Sequence, residues 1–164
     1  MKVSIDRDVL LDFFVTFACF ELALKNAGFF QQRPQSNPLY PPDARPDWDT
    51  FAVSLRSVFS SKANAELHEA CEYLLSNPPW REVIVNGVLM WRADGPPLGL
   101  LIGEAVLLLI RRLRNNLFHG GSFSPVQGYD TLTTESLLRA SVLVLVECLQ
   151  LSPKVRAAFE DAAL

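Results

Sequence analysis

Between Leu98 and Phe118 the chain carries a segment that, wound as a helix, is apolar on nearly every side. Ile102, Val106, Leu109, Ile110, Leu113 and Leu117 share one face, Leu107 and Leu108 fall on others, and Glu104 is the one charge before Arg111. Such a helix must be covered from several directions. With the other helices of the chain, that requirement points to an all-α fold class, an antiparallel helical bundle with a small β-hairpin insertion. In a chain of 164 residues, a second subunit is the expected cover for part of this helix. The length fits one domain, 1–164, large enough to bury a core without staples.

The rest of the chain supplies the surrounding helices. Phe13, Phe17, Phe20, Leu24 and Ala27 recur at helical spacing between Val9 and Gly28, where glycine is a natural stop. The span Gln31–Pro46 holds five prolines in sixteen residues and is expected to be a long surface loop, mobile in part. Helices are predicted over Trp48–Ser60, with Asp47 as cap, and over Ala63–Leu75, ended by Asn77-Pro78-Pro79. Two β-prone runs, Arg81–Val85 and Val88–Arg92, flank Asn86-Gly87. This is the strongest short hairpin signal, because a type I′ turn needs positive φ at both central residues. The hairpin, 81–92, is an insertion that must lean on the helices to be stable. Further helices are expected over Thr134–Leu149 and after Ser152-Pro153.

Charge and cysteine content narrow the function classes. The net charge is −3, so no global basic field exists, and a nucleic-acid partner would have to be drawn by a local cluster. Cys19, Cys71 and Cys148 are odd in number and lack metal-ligand spacing, which points to reduced thiols in apolar surroundings. Asp6, Asp8, Asp12 and Glu21 interrupt the first apolar run, so no signal peptide is expected and the cytoplasm is the expected compartment, with no membrane partner.

The segment Arg111-Arg112-Leu113-Arg114-Asn115-Asn116-Leu117-Phe118-His119-Gly120-Gly121 gathers three arginines, two amides and a histidine at the end of the central helix. At about 100° per residue, Arg111, Asn115 and His119 form one polar stripe with Arg114 on its flank. Arginine presents a planar fork of donors suited to phosphate oxygens. Histidine exchanges protons near neutral pH. Asparagine can orient either. These are the residue types required for phosphodiester cleavage by a 2′-hydroxyl, and no acidic cluster stands beside them to hold a metal. The bland alternative is that basic residues at a helix C-terminus only complement its dipole and cap its carbonyls.

The pattern Arg114-Asn115-x-x-x-His119-Gly120-Gly121, closing a hydrophobic helix, resembles the motif of the HEPN superfamily and is particularly similar to its Apea-like group. The first helix, with Phe20-Glu21-Leu22-Ala23-Leu24-Lys25, is similar to that group as well. The resemblance implies a HEPN-like bundle acting as a metal-independent endoribonuclease without cofactors. In it, two subunits face their motifs across one composite site. Carried onto this chain, His119 acts as general base or acid, Arg114 binds and stabilises the scissile phosphate, and Asn115 orients them. Arg111 is the expected further substrate contact. Implied partners are RNA, a second copy of the chain, and a cognate antitoxin or regulatory protein, in a toxin or anti-phage setting. Some members of the family only bind, so a non-catalytic module for RNA, nucleotide or a partner protein is the alternative. Some toxins of the family carry a tyrosine two residues after the histidine, where Gly121 stands here.

Glu21 borders the aromatic face of the first helix and is expected either to pair with Arg114 or Arg111 or to be a boundary residue. His68, among Glu66, Glu69 and Glu72, belongs to a solvated face. Trp48, Trp80 and Trp91 are expected in core or edge packing, although Trp91 on an exposed hairpin could stack on RNA. Glu104 is a candidate for a pair across a dimer interface.

Overall fold

The computed structural model describes residues 5–32, 39, 41–118 and 130–162. The described chain is mostly helical. The helices are α1 (Arg7–Asn26), α2 (Trp48–Ser54), α3 (Ala65–Ser76), α4 (Ile102–Phe118), α5 (Thr131–Leu151) and α6 (Pro153–Ala162). Two antiparallel pairs accompany them: β1 (Phe30–Gln32) with β2 (Ala44–Pro46), and β3 (Arg81–Val85) with β4 (Val88–Arg92).

Each helix begins where a side chain satisfies its free N–H groups. Asp6 caps α1 by accepting from the Asp8 N–H, and Asp47 caps α2 through Thr50. Asn64 caps α3 through the Leu67 N–H at 2.7 Å, and Asp130 caps α5 through Thr133. Both Asp47 and Asp130 are held below the ordinary carboxylate value, first by these backbone donors.

α1 buries Val9, Phe13, Phe17, Phe20, Ala23 and Leu24, the phenylalanine-rich face legible in the sequence. It lies against α5 and α6, α3 lies against α4 and α5, and α4 touches α2, α3 and α5. Phe13, Phe20, Phe51, Ile110, Leu138 and Leu145 are among the fully buried side chains. Phe20 stacks on Trp48 at 5.2 Å between centroids, and Phe51 meets Phe20 edge-on. Trp48 is therefore a core residue, and the exposed His68 stands on the outer face of α3.

Four expectations change. The helix opened by Asp47 stops at Ser54 and continues only as turns to Val58. The Ser54 hydroxyl donates to the Phe51 carbonyl at 2.6 Å, the local competition by which serine weakens a helix. α4 starts at Ile102 instead of Leu98, because Gly99 has φ of +91° and breaks the helical path. Glu104 pairs within the chain. One carboxylate oxygen accepts from the Leu101 N–H at 3.1 Å, capping α4, and the other bonds Arg56 at 2.8 Å. Finally, Val106, Leu107, Leu109, Ile110, Leu113 and Leu117 are all buried by the chain itself, so α4 needs no second subunit to cover its middle.

The ends of the proline-rich span are tied together by the β1–β2 ladder, with Phe30 opposite Pro46. Residues 33–38 and 40 of that span lie outside the described residues. The β3–β4 hairpin has the expected register, Val85 opposite Val88, with Asn86 at φ 51° and Gly87 at φ 77° in the turn. No helix among the described residues is long and apolar enough to cross a membrane.

Candidate functional site

The last two turns of α4 deal the motif residues to different neighbours. Arg114 faces α1. Its guanidinium carbon lies 4.4 Å from the Phe118 ring centroid and 5.6 Å from that of Phe17. Phe118 is itself packed edge-on against Phe14. Arginine stacks in this way because its planar cation is weakly hydrated and the ring faces are electron-rich. One terminal nitrogen of Arg114 lies 3.9 Å from Glu21, and the other donates to the Asn115 Oδ1 at 3.1 Å. Its Nε is buried and has no hydrogen-bond partner among the described residues.

Glu21 is fixed from behind. Its second oxygen accepts the Trp48 indole N–H at 3.1 Å, and that indole is clamped by Phe17 and Phe20. Of the alternatives open for Glu21, the pair with Arg114 is the one present, at the long end of an ion-pair distance. The Arg114 side chain keeps 32% of its surface open. The arginine is oriented by two rings, one carboxylate and one amide, and still has a face turned to solvent.

Arg111 sits one turn earlier and is engaged elsewhere. It donates to Asp49 of α2 at 2.8 Å and reaches over the Trp48 ring at 6.0 Å. Asp49 is largely exposed, so this pair contributes little to stability. Asn115 is exposed and, with Arg111, borders an open groove of about 870 Å³ between α4 and the hairpin. Of the expected site residues, the structure gathers Arg114, Asn115 and Glu21 and sets Arg111 on the groove side. His119, Gly120 and Gly121 lie outside the described residues.

Two residues of the motif do work that its spacing did not assign. Asn116 is buried and donates to the Trp80 carbonyl at 2.8 Å. Arg112 donates to the carbonyls of Pro79 and Asp94 at 3.0 and 2.6 Å. Together they pin both ends of the hairpin to α4, which answers the requirement that an isolated hairpin lean on the helices. The available signal was positional. Arg112 and Asn116 are four residues apart, a polar pair on one side of α4.

No protein-family model, curated protein or solved structure matches this chain.

Proposed function

We propose that the chain is a HEPN-type, metal-independent endoribonuclease that cleaves RNA at a composite site between two copies, as a toxin-like or anti-phage effector. The observation that carries this reading is the state of Arg114. It is a guanidinium oriented by Phe17 and Phe118, loosely held by Glu21 and joined to Asn115. It stands five residues before His119 in the sequence.

In this mechanism the ribose 2′-oxygen attacks phosphorus while His119 of one copy removes its proton. The P–O5′ bond breaks, and a proton supplied by the second motif leaves with the 5′-oxygen. The products are a 2′,3′-cyclic phosphate and a 5′-hydroxyl. Arg114 stabilises the charge that develops on the phosphoryl oxygens, a task suited to an oriented cation beside apolar rings. Asn115 holds the guanidinium in register. The exposed apolar residues Leu11, Val15 and Leu22 share one stripe of α1, and Phe118, 62% exposed, lies beside Arg114. These are the surfaces on which a second copy would seat.

Substituting Arg114 tests the reading. Arg114→Ala is expected to slow RNA cleavage by about 10²–10³-fold with an unchanged melting temperature, and Arg114→Lys to restore only part of it. The contrary result is a variant that loses its fold, or that cleaves as the unsubstituted chain does.

A second reading, a non-catalytic module that binds RNA, nucleotide or a partner protein, is favoured by the intrachain contacts Arg114 already makes. Under it, Arg114→Ala weakens binding and there is no cleavage to lose.

A further inference from the structure

We propose that the groove between the hairpin base and α4 is a channel for single-stranded RNA that leads toward Arg114 and Asn115. This deepens the ribonuclease reading and takes from it only that RNA is the ligand.

The groove is built by the pairing of two unlike elements. Asn116 and Arg112 hold the hairpin base against α4, leaving an open trough of about 870 Å³. That volume lies toward the upper end of the roughly 300–1,000 Å³ range typical of ligand sites. The trough mixes polar and apolar surface, and four of its lining residues are Arg81, Arg92, Arg111 and Arg112. Three carboxylates, Asp49, Glu82 and Asp94, share it, so it carries one formal positive charge in a chain whose total is −3. It is a local basic cluster of the kind an acidic protein needs in order to meet nucleic acid.

The hairpin base explains why the cluster is suited to a polyanion. Arg81 stands directly opposite Arg92 in the ladder. Like charges in that position repel. Both lean on the one carboxylate of Asp94, at 4.0 and 3.2 Å, and their side chains stay 53% and 58% exposed. Asp94 is shared between two guanidinium groups, and both arginines line the trough beside Glu82. A phosphate entering there relieves the repulsion and gains forked donors.

Trp91, next along β4, lines the same trough and offers a stacking surface to a base. Stacking on a side chain requires a base splayed out of a helix, which favours a single strand over a duplex. At the other side of the trough Asn115 belongs both to this lining and to the Arg114 contact. A strand in the trough is thereby delivered to the motif.

The test is binding of a fluorescent 2′-O-methyl RNA of about 12 nucleotides, within the usual range for single-strand sites. The modified strand lacks the attacking hydroxyl, so binding is read apart from cleavage. Anisotropy is followed over a salt series, and unmodified RNA is assayed in parallel. Arg81→Ala with Arg92→Ala is expected to weaken binding about tenfold and to flatten the salt slope by about 1.4, or 0.7 for each lost phosphate contact. Trp91→Ala should weaken binding by a similar factor with the slope unchanged, since stacking releases no counterion. If the double alanine variant fails to fold, Arg81→Lys with Arg92→Lys carries the test. It keeps the slope and loses affinity with the fork.

Unchanged affinity and slope in these variants overturn the channel, even if unmodified RNA is cleaved and the ribonuclease reading stands. Wild-type binding through the arginines without any cleavage leaves the channel in place and removes the ribonuclease reading. Tighter binding of a poly-glutamate peptide than of the RNA overturns the channel in favour of an acidic-protein surface.

Discussion

Asn116 shows how much one side chain decides in this molecule. It is buried, and its amide reaches the Trp80 carbonyl just before the hairpin begins. Asn116→Ala removes that donor from a buried setting and should cost about 1–3 kcal/mol, measured by urea denaturation. The cysteines make a second case. Burial pushes the Cys71 thiol up to about 11 and raises Cys148 further, because the thiolate loses its hydration. Cys19 is half-buried. Iodoacetamide at neutral pH should therefore modify Cys19 alone in the folded chain and all three cysteines in denaturant, as mass spectrometry will show. Modification of Cys71 or Cys148 without unfolding would contradict the packing. At the candidate site, an Arg114–Glu21 pair was one of the alternatives the sequence left open, beside Arg111 and a mere boundary role. The Arg111–Asp49 pair was not, since it joins residues 62 positions apart and leaves no periodic trace.

The helices and the hairpin differ in how much of their making is local. Asn86-Gly87 can adopt the turn that two β-prone runs require, so the hairpin's register follows from neighbours in the chain. The phenylalanine spacing likewise marks α1 without reference to anything distant. Where the hairpin docks is a different matter. Arg112 and Asn116 bond backbone carbonyls of Pro79, Trp80 and Asp94, and every residue has a carbonyl, so sequence cannot single these out. The helix starts also depend on charge. Asp47, Glu104 and Asp130 have lowered values, each held first by a hydrogen bond, from a backbone N–H at Asp47 and Asp130 and from Arg56 at Glu104. The stability they contribute is complete above their ordinary values of 3.8 and 4.5 and is lost as pH falls through the lowered folded values. Urea midpoints should thus fall between about pH 5 and pH 3. Asp130→Asn keeps a capping oxygen and should flatten part of that fall. A midpoint independent of pH in this window would remove the caps from the account.

α5 packs against α1, α3, α4 and α6, and α4 buries its apolar faces in the same core while its end reaches the surface. Burial of α4 is satisfied within one chain, so the case for a second copy rests on the motif and on the apolar stripe of α1 beside it. The same arrangement separates two tasks along one helix. Arg112 and Asn116 hold the hairpin, and Arg114 and Asn115 are left at the rim with a partly open guanidinium. On the proposed reading, Arg114 and Asn115 act with His119 to cleave RNA without a metal ion. The most direct measurement incubates the purified chain with RNA in EDTA beside its His119→Ala variant and identifies the product ends. Cleavage by the unsubstituted chain alone is expected, leaving 2′,3′-cyclic phosphate and 5′-hydroxyl termini. Equal cleavage by the His119→Ala variant, or no cleavage of any RNA by a chain confirmed as a dimer in the same sample, would contradict it.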